Sequence, residues 1–85
     1  MNTMLSDETV AKVQDIIMEQ LGVAREQVTS EAAIKEDLAA DSLDEAEIAM
    51  RIEEEFNVSL ADERMEQVRT FGELCEELST LLATR

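Results

Sequence analysis

The chain has no histidine, proline, tryptophan or tyrosine, only two glycines and one cysteine, and seven bases against 21 acids. Each shortage closes off a class of function. Without histidine there is no Ser-His or Cys-His pair to activate a nucleophile, and one cysteine alone cannot assemble a zinc or iron site. A calcium loop also fails: counted from Asp41, Leu43 and Ala46 stand where that loop needs a ligand and a glycine. Catalysis by this chain alone and a resident metal are therefore not expected. Diffuse divalent binding that relieves self-repulsion is, with a rise in melting temperature. The net charge of −14 repels phosphate backbones and anionic lipid, and no tyrosine or tryptophan offers a stacking platform for bases. Partners should be basic proteins rather than nucleic acid. No apolar run exceeds three residues, and "MNTMLSDETV" lacks the basic and apolar regions of a signal peptide. With Cys75 unable to form an internal disulfide, the expectation is a cytoplasmic, monomeric protein without a membrane span.

At 85 residues the expectation is one domain over 1–85, with a core that is aliphatic because Phe56 and Phe71 are its only aromatics. Strand-like alternation is missing, and the periodicity is helical throughout. Val10, Val13, Ile17 and Leu21 recur behind Ser6, Asp7 and Glu8 and before Gly22, which predicts a helix over 7–21. A long connection follows, from which Val28, Ile34 and Leu38 are spaced to plug a core. A connection this long in a small domain tends to be functional, and it delivers the chain to Asp41 and Ser42. A second helix is predicted over 42–56, with Ile48, Ile52 and Phe56 as its apolar stripe, widened by Leu43, Ala46, Ala49 and Met50. A short helix from Asp62 to about Val68 precedes a last one, opened by a Thr70/Glu73 capping box and carrying Phe71, Leu74, Cys75, Leu78, Leu81 and Leu82. The fold expected is all-α, a small up-and-down four-helix bundle with three longer helices, one short one and a long first loop.

Ser42 lies in the first turn of the second helix whichever capping register is used, Asp41 with Asp44 or Ser42 with Glu45. Two readings follow. The serine could simply cap the helix. Alternatively another enzyme could modify it, since the amides and dipole at a helix start favour an attached phosphodiester.

The segments "EQLGV", "EDLAADSLD" and "IEEEFNVSL", in that order and spacing, resemble the acyl carrier protein family over roughly residues 10 to 82. That resemblance implies that Ser42 receives 4'-phosphopantetheine from coenzyme A through a phosphopantetheinyl transferase. Acyl groups would then ride as thioesters on the arm while partner enzymes of fatty-acid, polyketide or lipid synthesis act on them. It further implies that Asp41, Leu43, Asp44, Glu47, Glu53 and Glu54 bind basic patches on those enzymes. The charge pattern fits, because residues 36 to 66 hold 12 acids and two bases. Complementary charge mainly speeds encounter and selects partners, which suits a carrier that visits many enzymes.

Several positions depart from the common bacterial fatty-acid carrier. Ala40 stands where glycine usually precedes Asp-Ser, Ile34 where an aromatic is frequent, and "LADE" at 60 to 63 lacks a proline. Arg51 interrupts the acidic face, while Ala46 and Ala49 replace bulkier aliphatics. A general and a specialised carrier both stay open, as do an aminoacyl or peptidyl carrier and an unmodified acidic interaction module. Cys75, on an apolar helix side, reads as a buried structural thiol. The five methionines read as core filler or chain start, with Met50 and Met65 as lining for an acyl-chain pocket.

Overall fold

Helix α1, Asp7–Leu21, begins where Ser6 takes an extended backbone and its hydroxyl accepts the Thr9 amide at 3.1 Å. It ends at Gly22, whose φ of 69° and amide bond to the Met18 carbonyl make a left-handed cap. The computed structural model describes residues 5–84, so Met1 and Met4, the first four residues of "MNTMLSDETV" and the ends of the 1–85 domain expectation lie outside the described residues. Helix α2 spans Ser42–Phe56 and closes at Asn57, also left-handed. The short α3 spans Asp62–Gln67, and α4 spans Phe71–Thr84. The architecture is a small all-helical bundle, without a β-strand among the described residues.

The core is aliphatic, as its composition requires. Val13 and Ile17 from α1, Ile48 and Ile52 from α2, and Leu74 and Leu78 from α4 are all buried in one cluster. Burial on this scale is the main favourable term in folding a domain that has little else to hold it. Leu81, Leu82 and Phe56 pack against the cluster but are only partly buried.

The connection from Gly22 to Asp41 is the most elaborate part of the molecule. A 3-10 turn at Arg25–Gln27 is tied to α1 by Arg25, which bonds Gln14 and Asp15. Val28, Ile34 and Leu38 then enter the core as the sequence pattern predicts. Three main-chain bonds fasten this connection to the start of α4. The amides of Phe71, Gly72 and Ile34 donate to the carbonyls of Ala32, Ser30 and Arg69, each at 2.9 Å. Gly72 allows the approach, since a Cβ there would lie 3.0 Å from the Ser30 carbonyl oxygen.

A short set of reciprocal bonds shapes the last residues before α2. The Ala33 amide donates to the Asp37 carboxylate, and the amides of Asp37 and Leu38 return to the Ala33 carbonyl. Ala39 then adopts a φ of 62°, a left-handed conformation that costs an alanine about 1–2 kcal/mol. Ala40 is buried. The backbone position that calls for glycine is therefore Ala39, not Ala40, and this turn aims the chain into α2.

Candidate functional site

The start of α2 resolves the choice between capping registers. Asp41 has an extended backbone, and its carboxylate accepts the Asp44 amide at 2.8 Å while the Asp44 carboxylate accepts the Asp41 amide at 3.2 Å. Both members of this box are acids, so it also places negative charge at the positive end of the helix. Ser42 is left as the first helical residue. Its side chain is exposed, and among the described residues nothing hydrogen-bonds its hydroxyl.

Beside Ser42 lies an open cleft of about 420 Å³ between α2, α3 and the preceding connection, lined by Lys35, Glu45, Ala46, Asp62, Met65 and Glu66. Glu45 is unusual in being a buried acid, one turn beyond the serine. The Lys35 ammonium stands 3.9 Å from its carboxylate. Burial pushes the Glu45 carboxyl above the usual carboxylate range; Lys35 opposes the shift, and Glu66 and Asp41 add to it. Met65 belongs both to the cleft and to the core, so the cleft ends on apolar packing. Met50 is not part of it. At 57% exposure Met50 sits on the outer face of α2, because the helical period turns it away from the buried Ile48 and Ile52.

The six residues expected to meet partners divide into groups. Leu43, Glu47 and Glu54 share the outer face of α2 with Met50, and Leu43 is 69% exposed, a large apolar side chain in water one residue from the serine. Asp41 and Asp44 are engaged in the cap, and Asp44 also accepts the Gln20 amide nitrogen at 3.3 Å from α1. Glu53 turns away from that face: its carboxylate accepts the Leu60 amide at 2.6 Å and so anchors the segment between α2 and α3. Arg51, expected to interrupt the acidic face, instead pairs with Glu19 of α1, while Lys12 of α1 pairs with Glu55. These bases belong to the α1–α2 seam. Sequence reasoning passed over Glu45; an acid at the i+4 spacing from an apolar α2 position, Ala49, was the available signal.

Residues 11–78 match the phosphopantetheine attachment site family. The chain belongs to that family. Members of the phosphopantetheine attachment site family carry covalent 4'-phosphopantetheine, and this chain is a phosphopantetheine-carrying carrier protein. The match runs from within α1 to within α4 and so takes in the whole of α2 and its approach. The residues present fit such a group: a primary hydroxyl stands free at a helix start, with open solvent around it and an apolar neighbour in Leu43. A carrier domain of this kind works with a phosphopantetheinyl transferase and with synthases. No helix among the described residues is long and apolar enough to cross a membrane.

Proposed function

We infer that the protein is an acyl carrier whose arm is attached to Ser42. The supporting observation is that Asp41, not Ser42, caps α2, which leaves an exposed hydroxyl with no structural task. In the attachment step the Ser42 oxygen bonds to the phosphorus that bears the pantetheine of coenzyme A. The bond from that phosphorus to the adenosine-bearing phosphate breaks, and 3',5'-adenosine bisphosphate leaves with the electron pair. The chain has no histidine to take the serine proton, so the transferase supplies the base. The arm's thiol then holds acyl groups as thioesters, and fatty-acid, polyketide or related lipid enzymes do the chemistry on them. The chain itself acts as handle and address, not as catalyst.

Partner enzymes dock through the outer face of α2. Leu43 and Met50 supply apolar contact, while Asp41, Asp44, Glu47 and Glu54 supply charge for basic patches. Glu53 acts indirectly, by holding the α2–α3 segment at the edge of that surface. The excess of acids fits a monomer that meets basic partners briefly in the cytoplasm.

Intact mass after incubation with coenzyme A and a phosphopantetheinyl transferase tests the assignment. Wild type gains one phosphopantetheine and Ser42→Ala gains none. Wild type that stays unmodified would favour an unmodified acidic interaction module, and a modified Ser42→Ala would move the attachment elsewhere.

A further inference from the structure

The cleft beside Ser42 bears on what the arm can carry, an inference that rests on attachment at Ser42. An alkyl chain on a flexible arm leaves water only where it finds apolar surface, with about a fourfold gain for each methylene buried. From Ser42 the adjacent route inward is the cleft that ends at Met65. Its lining is mixed: Ala46 and Met65 are apolar, whereas Lys35, Glu45, Asp62 and Glu66 carry charge. Three of these are exposed and can swing aside with their water. Glu45 cannot. It is buried one turn past Ser42 on the core-facing side of α2, next to Ile48, Ala49 and Ile52 in the same buried stripe.

The Glu45 carboxylate is also poorly compensated. Its nearest cation among the described residues, Lys35, stands at 3.9 Å, beyond a direct hydrogen bond, so the acid depends on what water the cleft admits. An alkyl chain sliding past would displace that water and leave a charge against hydrocarbon, a cost that several buried methylenes would not offset. The upward shift of its carboxyl through burial shows the same sensitivity.

We propose that Glu45 is a specificity-determining residue, barring long alkyl chains from the space between α2 and α3 and so setting this carrier for short or hydrogen-bonding acyl groups. A hydroxyl- or amine-bearing acyl group could use the charges of the cleft as partners, whereas a plain alkyl chain must remain on the surface, with its thioester open to water.

The test compares thioester hydrolysis on holo-protein loaded with decanoyl or 3-hydroxybutanoyl groups from the matching coenzyme A thioesters. Loading is first verified by intact mass, so a failure of Ser42 modification is seen separately from a failure of selection. On wild type, decanoyl is expected to hydrolyse within twofold of free decanoyl-pantetheine. On Glu45→Ala, hydrolysis slows at least fivefold, with Glu45→Gln, which preserves shape, falling between; circular dichroism confirms that each variant is folded. The 3-hydroxybutanoyl thioester is not slowed on either variant. Protection of decanoyl on wild type, no protection on folded Glu45→Ala, or an equal change for both acyl groups would each overturn the proposal.

Discussion

Helices α2 and α4 start with the same local device, a capping box, yet they use it in opposite ways. At α4 the Thr70 hydroxyl accepts the Glu73 amide at 3.2 Å, while the Glu73 carboxylate takes the Arg69 and Thr70 amides. The next two residues, Phe71 and Gly72, bond back to the 22–41 connection, and Phe71 is buried. At α2 the Asp41/Asp44 box closes just as well, but the next two residues, Ser42 and Leu43, point into water. One helix start is built into the fold and the other is presented by it. The contrast shows that a cap satisfies backbone amides and leaves the side chains behind it free for either use.

The sharpest way to break this contrast is to truncate the first residue at the built-in start. Phe71→Ala removes a buried aromatic where α4 meets the 30–34 segment, and it should cost about 3–5 kcal/mol. On a domain of this size that lowers Tm by more than ten degrees, since about 1 kcal/mol moves it by 4–8 °C. Leu43→Ala, the nearest apolar residue at the presented start, should change Tm by less than two degrees in thermal melts. A comparable loss at both would show that the two starts are equally embedded.

The caps themselves should behave alike, which refines the comparison. Asp41→Ala and Thr70→Ala each remove one acceptor from a first-turn amide, at a cost of about 1 kcal/mol. Chemical denaturation should place the two within a few tenths of each other. A much larger loss for Asp41→Ala would mean that the acid does more at α2 than cap it.

The helices were legible because their signals are local. Ser6 and Gly22 bound α1, and Ile48, Ile52, Leu74 and Leu78 of the α2 and α4 stripes are buried, whereas Leu43, Ala46 and Met50, read as widening the α2 stripe, are exposed. Ser42 and its approach were legible through the motif. What escaped depends on contacts that the helical periodicity does not announce. Arg51 reads as part of an acidic face until Glu19, 32 residues earlier, is placed beside it. Glu53 looks free until its carboxylate meets the Leu60 amide. Ala39 carries no glycine to announce its left-handed backbone, which the reciprocal bonds of Ala33 and Asp37 impose from outside. Glu45 reads as one more acid of the acidic stretch, although its spacing to Ala49 puts it on the buried side of α2, where α3 and the connection cover it.

Glu45 also gives the presented end of α2 a pH signature of its own. Its carboxyl is held above the ordinary range by burial, so the folded state favours the protonated form. The stabilisation from that preference is complete below the unfolded-state pKa and is lost as pH rises through the higher folded one. At neutral pH the ionised Glu45 is therefore a burden, and Glu45→Gln should raise Tm by roughly 2–4 °C, about half a kcal/mol on this domain. The advantage should shrink as pH falls toward the ordinary carboxylate range. An advantage for the glutamine that is independent of pH would point to shape instead of charge.

The smallest expected effect is the most telling for the comparison. Ser42 is the first helical residue, exposed and without a hydrogen bond to its hydroxyl among the described residues, so Ser42→Ala removes no native contact of that group. Alanine is also the better helix former, by a few tenths of a kcal/mol. The substitution should leave stability unchanged to within about 0.5 kcal/mol, as surface changes away from caps and cores do. Paired urea titrations of the unmodified wild type and Ser42→Ala check this directly, with equal slopes required for the comparison to hold. A loss near 1 kcal/mol would return Ser42 to the capping role and remove the difference between the two helix starts. Unchanged stability would leave the serine as a side chain that the fold positions and does not itself use, which is what a point of attachment requires.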